Sequence, residues 1–312
     1  MKITIPILCN SSYNLTKFDF SFKDITIYDI SSKKFKEYIK IQQPEFLKAN
    51  FNFIKPLLGN INSIHDKRYA IVKNDPKTDF NYKDIVNVWK ILLIMFPSDL
   101  QIEHELDYQF ENNFFQRISK STVERKITGE NSENSLMASD DDIEEINEFI
   151  KTVFDSLKLD NYLGFAIDNY LTSYSASHFH YQYLTLCISL ENIIYGNQEI
   201  TYRLRRNVSI LCGQDECSCN IIFENLKKLY ALRSKIIHGD SYEIKIVIEY
   251  LKPIKSIVSR TIIELLVHNF DKIEKLNHRL TEIGFGDRNK ISQGWKHYKL
   301  NEQTMVEANW KI

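Results

Sequence analysis

Long hydrophobic runs are missing from this 312-residue sequence. The longest, such as VWKILLIMF from Val88 to Phe96, are too short to span a bilayer and are interrupted by Lys90. The start, MKITIPILCNSS, has one lysine and only a brief apolar stretch. It reads as a first β-strand and not as a secretory leader. No membrane association and a cytoplasmic location are therefore expected. Cysteine is scarce and odd in number: five in a chain this long make no disulfide framework and fit a reducing compartment. Charge of one sign is also missing. A net charge of −1 gives no global pull toward nucleic acid, so any polyanion site has to be a local patch. No P-loop, Gly-rich dinucleotide loop, H-E-x-x-H or G-x-S-x-G occurs. Cys212, Cys217 and Cys219 form C-x4-C-x-C without a nearby histidine or a second pair at zinc spacing. That pattern reads as a loop between helices, so neither metal nor cofactor is expected.

What is present is ample core material, 43% hydrophobic and 12% aromatic residues, in a length that suits two domains. Residues 1–127 read as an α+β domain with a role in sensing or substrate selection. MKITIPIL, FDFSFKDITIYDI and KRYAIVKN look like strands, and NYKDIVNVWKILLIMF looks like a helix ending near Pro97. LQIEHELDYQFENNFFQRIS alternates again, with Asn112-Asn113 as a turn. Residues 128–139 are polar and without periodicity, a linker. The acidic run after Ser139 is a helix start, because the helix dipole favours acids in a first turn.

Residues 140–290 read as an all-α bundle and 291–312 as a tail. The expected helices are 141–157, 162–174, 178–195, 199–212, 219–238, 243–270 (kinked or split at Pro253) and 272–283, with short connections that favour antiparallel neighbours. His178 and His180 begin one of these helices and read as surface or cap residues.

One stretch departs from this ordinary pattern: LYALRSKIIHGD, residues 229–240. On a helical wheel Leu226, Leu229, Ile236 and Ile237 fall within about 60° of Ile222, and Arg233 lands near the middle of that apolar stripe. A cation there has to be paired, or has to face a cleft or partner surface. His238 lies off the stripe in the last turn, and Gly239 is the expected left-handed terminator. A second anomaly lies in YLTLCISLENIIYG, where Glu191 sits in a stripe with Leu184, Cys187, Ile188 and Tyr195. Two helices each carrying one opposite charge on an apolar face are expected to pack together, pairing Glu191 with Arg233 or Arg206. Histidine beside arginine suits attack on a phosphodiester: the imidazole moves a proton and the guanidinium braces the phosphate. The same residues would equally serve as a core ion pair and a helix-end histidine bonded to a backbone carbonyl.

LRSKIIHGD has the R-x4-H form of the HEPN superfamily, with Arg233 and His238 at the motif positions. The surroundings resemble the ApeA-like branch. LTLCISLENIIYG is similar to its Leu-Glu-bearing helix, EITYRLRRNVSILCG to its Glu-Ile-x-Tyr helix and IFENLKKLYALRSKIIHGD to its motif helix, over about residues 157–270. The resemblance implies an all-α bundle that dimerises. The arginines and histidines of two chains would then share a cleft and cut RNA without a metal, leaving a cyclic phosphate. Members act as toxins, in phage defence or in RNA processing. The residue after the motif arginine is often polar, and Ser234 fits. Members modified by a partner nucleotidyltransferase carry tyrosine two residues beyond the histidine; here Asp240 stands there and Tyr242 lies further on.

The resulting expectation is a homodimeric, metal-independent endoribonuclease. Arg233 and His238 would be catalytic, with Glu191 and Ser234 supporting them. Arg203, Arg205, Arg206, Lys227, Lys228 and Lys235 would form the local basic patch for RNA, although each of them singly could be a solvated helix face. A regulatory partner or phage-derived trigger would control cutting. Two further readings are a non-catalytic HEPN module that binds or dimerises beside a partner protein, and the toxin half of a toxin–antitoxin pair.

Overall fold

The computed structural model describes residues 2–42, 67–74, 82–111, 114–122, 136–158, 161–193, 199–268, 272–284 and 312. The chain divides into two compact units, one made of residues 1–93, 98–125 and 129–151, the other of residues 94–97, 126–128 and 152–312.

The first unit holds a five-stranded antiparallel sheet. β1 (Lys2–Cys9), β2 (Ile25–Asp29), β3 (Tyr69–Lys73), β4 (Gln101–Glu111) and β5 (Phe114–Thr122) lie in the order β2-β3-β1-β4-β5. Proline has no N–H for a ladder, and Pro6 sits in β1 where the recorded β3 register covers only Ile7 and Leu8. The register of β1 on β4 shifts at Ile7/Leu8, a bulge just past that proline. Helix α1 (Lys33–Gln42) follows β2, and α2 (Tyr82–Met95) ends before Pro97 as its sequence suggests. Trp89 of α2 donates its indole N–H to Leu100 O at 3.0 Å.

Three expectations change in this unit. Only the second half of FDFSFKDITIYDI is a strand. Residues Leu15–Lys17 and Ser21–Lys23 form short 3-10 turns, fixed by the Asn14 side chain on Thr16 N–H, the Asp19 carboxylate on Ser21 N–H and a left-handed Asp24. Phe18 and Phe20 still bury their rings, so the alternation was real although the conformation is not extended. Most of the expected linker, and the Asn112-Asn113 turn, lie outside the described residues, but its end is docked: buried Leu136 donates to Asn10 O and accepts from Ser12 and Tyr13. The segment after Ser139 belongs by its contacts to this first unit. Ser139 accepts from Asp141 N–H, Asp140 takes bonds from Tyr13 and Lys17, and Asn147 of α3 (Ile143–Val153) bonds Asp19 and Lys17.

The second unit is helical: α4 (Tyr162–Ser175), α5 (Phe179–Glu191), α6 (Ile200–Cys212), α7 (Glu216–His238), α8 (Ile244–His268) and α9 (Ile273–Ile283). A small antiparallel sheet followed by a mostly helical region matches the coarse layout expected of the sequence. Its centre is α8, which packs on α4, α5 and α6 and buries Val247, Leu251 and nearly all of residues 254–266. Pro253 does not split this helix; it runs unbroken for 25 residues. Proline removes one bond and crowds one carbonyl, and the burial of α8 on three neighbours is enough to keep the helix continuous.

The thiols of the C-x4-C-x-C run show what that pattern does here. Cys212 Sγ contacts Thr261 Oγ1 at 3.1 Å, and Cys219 Sγ donates to Ser209 O at 3.2 Å, both in the core, while Cys217 is exposed. Between them Gly213 lets the first turn of α7 approach. A Cβ added there would stand 2.5 Å from Cys219 Sγ and 2.8 Å from Cys219 N.

Candidate active site

Helix α7 is set at both ends by local chemistry. Asp215 accepts from Ser218 N–H at 2.8 Å while the Ser218 hydroxyl accepts from Asp215 N–H, a complete capping box. The Asp215 carboxyl is held below its ordinary range by those donors. At the other end Gly239 takes the left-handed conformation (φ 73°), with its N–H and that of Asp240 both bonded to Lys235 O. His238 is thereby fixed as the last helical residue, and it is exposed.

Helices α5 and α7 lie side by side and run in the same direction, as three successive contacts show. Tyr183 donates to Leu229 O at 2.7 Å, Tyr230 to Cys187 O at 3.2 Å, and Arg233 Nη2 reaches both Glu191 oxygens, at 3.0 and 3.2 Å. The expected pairing of Glu191 therefore falls on Arg233. Arg206 turns elsewhere, donating to Leu280 O and Thr281 O at the end of α9. The pair is half-buried: the side chains of Arg233 and Glu191 are 29% and 27% exposed. Burial pushes the Cys187 thiol and the Tyr230 phenol well up, and the neighbouring Glu191 adds to both shifts. The wall behind the pair is therefore neutral. Two buried donors at this corner, Arg233 Nε and Asn192 Nδ2, have no acceptor among the described residues.

The apolar stripes differ from the sequence reading. Ile222, Leu226 and Leu229 are buried, but Ile236 is only partly so and Ile237 is 48% exposed. On α5, Cys187 is buried, Leu184 is intermediate and Ile188 is exposed; Tyr195 lies outside the described residues. The Glu191–Arg233 contact falls at the last residue of α5, and α7 continues from there to His238.

The six expected RNA-binding cations separate into distinct environments. Arg205 clamps α6 to α7: its Nε donates to Phe223 O, its Nη2 pairs with Glu224 at 3.0 Å, and its guanidinium lies 3.7 Å from the Phe223 ring centroid. Arg206 serves the end of α9, Arg203 is half-buried on α6, and Lys228 is bonded by Ile312 O beside Asn225, which takes the Ile312 N–H at 3.1 Å. Lys227 and Lys235 are exposed on the face of α7 that also carries exposed Ser234 and His238.

Sequence reading missed a second ion pair. Arg260 and Glu264 of α8 are both fully buried and meet at 2.6 Å, with His268 Nε2 4.0 Å from Glu264. Charges at i, i+4 and i+8 inside an apolar run were the available signal.

Comparison with known proteins finds no family model, no curated protein and no solved structure that matches this chain.

Proposed function

We propose that this chain is a metal-independent endoribonuclease of HEPN type, acting as a toxin or anti-phage effector, with its site completed in a homodimer. What carries this reading is an arginine held by Glu191 in a half-buried, neutral-walled corner, its side chain still 29% exposed, followed by an exposed histidine at the helix end. A phosphodiester offers the acceptor oxygens that such a guanidinium takes. His238 would remove the ribose 2′-hydroxyl proton as that oxygen attacks phosphorus, or return a proton to the departing 5′-oxygen. The products would be a 2′,3′-cyclic phosphate and a 5′-hydroxyl.

The dimer enters for a geometric reason. Five residues along a helix rotate a side chain by about 140° and advance it by roughly 7.5 Å, so Arg233 and His238 of one chain leave α7 in different directions. In-line transfer gains from groups on both sides of the phosphate, and a two-fold axis beside α7 would bring in the second set. Exposed Ile237, Ile244 and Ile248, at 48%, 50% and 44%, flank His238 in sequence and supply apolar surface for such a contact.

The test is incubation of the purified protein with total RNA in EDTA, wild type against His238→Ala. Cleavage by wild type alone is expected, with the variant still binding RNA. Mixed dimers carrying one His238→Ala chain should lose far more than half the rate; a rate of one half would mean each chain works alone. If neither protein cuts RNA, the reading as a non-catalytic module replaces this one.

A further inference from the structure

We propose that the turn between α4 and α5 is a stacking platform for unpaired RNA bases, built from His178, His180 and Tyr181, which makes single-stranded RNA the ligand of this bundle. The proposal rests on the reading of Arg233 as a phosphate-binding residue.

Three rings gather at this turn. The imidazoles of His178 and His180 are parallel within 9° at 5.5 Å, and Tyr181 stands 4.3 Å from His180 and 6.0 Å from His178. His178 and Tyr181 are exposed, Tyr181 by 54%. A large aromatic side chain left in water beside two aligned imidazoles contributes little to a core, and exposed ring faces are what nucleobases stack on irrespective of sequence. The turn is also rigid. Gln182 donates to Ala176 O at 3.0 Å, and the N–H groups of Tyr181 and Gln182 both return to His178 O. A backbone fixed by such bonds needs little ordering when a ligand arrives. Positive charge lies at the end of α4 that leads into this turn, with Lys255 Nζ 4.5 Å from the ring centroid of Tyr174.

The platform shares a track with the proposed site. Ten residues separate Tyr181 from Glu191, which places them about 80° apart on the helix wheel and roughly 15 Å apart along the axis. Exposed Ile188 lies between them, within about 20° of Tyr181. A strand whose bases stack at Tyr181 therefore runs along one face of α5 toward Arg233. Paired bases cannot offer their faces to such rings, so duplex RNA gains nothing from them.

The measurement is the affinity of the full-length protein for a short 2′-O-methylated single-stranded RNA, which cannot form the cyclic phosphate, and for its duplex. Tyr181→Ala and His180→Ala are compared with Tyr181→Phe. Alanine at Tyr181 should weaken single-strand binding by roughly five- to 150-fold, the range of losing one base stack. Phenylalanine should bind like wild type and duplex affinity should stay unchanged. Equal single-strand affinity for Tyr181→Ala and wild type overturns the platform, and so does an equal loss for single strand and duplex. A change in sedimentation without a change in RNA affinity also overturns it and makes the turn a protein interface. The two readings separate cleanly: stacking losses without cleavage under any condition leave the platform and remove the nuclease. Cleavage whose KM ignores Tyr181→Ala does the reverse, and a wild type that binds no RNA removes both.

Discussion

Removing the Glu191 carboxylate is the perturbation that most directly tests the corner built on α5 and α7. The carboxylate receives Arg233 Nη2 at 3.0 and 3.2 Å, with both side chains less than a third exposed. Exposed ion pairs are worth about 0–1 kcal/mol, and breaking a fully buried pair costs about 3–5 kcal/mol. At this intermediate burial a charged hydrogen bond contributes about 1.5–3 kcal/mol, so Glu191→Ala should destabilise the fold by about 2 kcal/mol. For a helical unit of this size that corresponds to a fall in Tm of roughly 4–8 °C. The control is Glu144→Ala, which removes an exposed first-turn acid of α3 and should lower Tm far less. A double-mutant cycle with Arg233→Ala, read by denaturant unfolding, isolates the pair from other losses at either residue. Coupling of at least about 1 kcal/mol is expected; a value under about 0.3 kcal/mol, within ordinary additivity, would refute the pairing. In RNA binding the same variant should lose affinity even though Glu191 itself repels phosphate, because Arg233 loses its fixed orientation. Tighter binding by Glu191→Ala would show that the carboxylate only competes for the arginine.

Gly213→Ala forces a Cβ to within 2.9 Å of backbone atoms of Cys219, so a loss of about 1–3 kcal/mol is expected, and wild-type stability would show that the α6–α7 approach is looser. Glu264→Ala removes the carboxylate that Arg260 meets in the core and should cost about 3–5 kcal/mol, more than Glu191→Ala; the reverse order in denaturant melts would contradict the burial of that pair. The Asp215 carboxyl is stabilised in its charged form by the folded helix end, so its contribution is present above the unfolded carboxyl pKa near 3.9 and is lost as pH falls through the lower folded value. Asp215→Ala should therefore lower Tm at neutral pH, with the gap to wild type closing in strong acid; a gap independent of pH would mean that the cap acts only through shape.

Much of the helical unit is local in origin and could be read along the chain. The stop of α7 at His238 follows from Gly239, which takes the left-handed turn; its start at Glu216, three residues ahead of the expected Cys219, is set by the Asp215–Ser218 exchange. Helix periodicity and short connections likewise located α4, α6, α8 and α9 within a few residues of their observed ends. Opposite charges in two apolar stripes are enough to call for a partner, because an unpaired buried charge is so costly. Which partner is a tertiary matter: Glu191 had two arginines to choose from, and the parallel alignment of α5 on α7 put Arg233 in reach while Arg206 turned to α9. Exposure was equally beyond one-dimensional reasoning. Ile237 and Ile188 keep the helical spacing of core residues but are exposed, and Arg205 and Lys228, indistinguishable from solvated cations in the sequence, are engaged by Glu224 and Ile312. Spacing fixes only the direction in which a side chain leaves its own helix; what it meets there depends on where the other helices end.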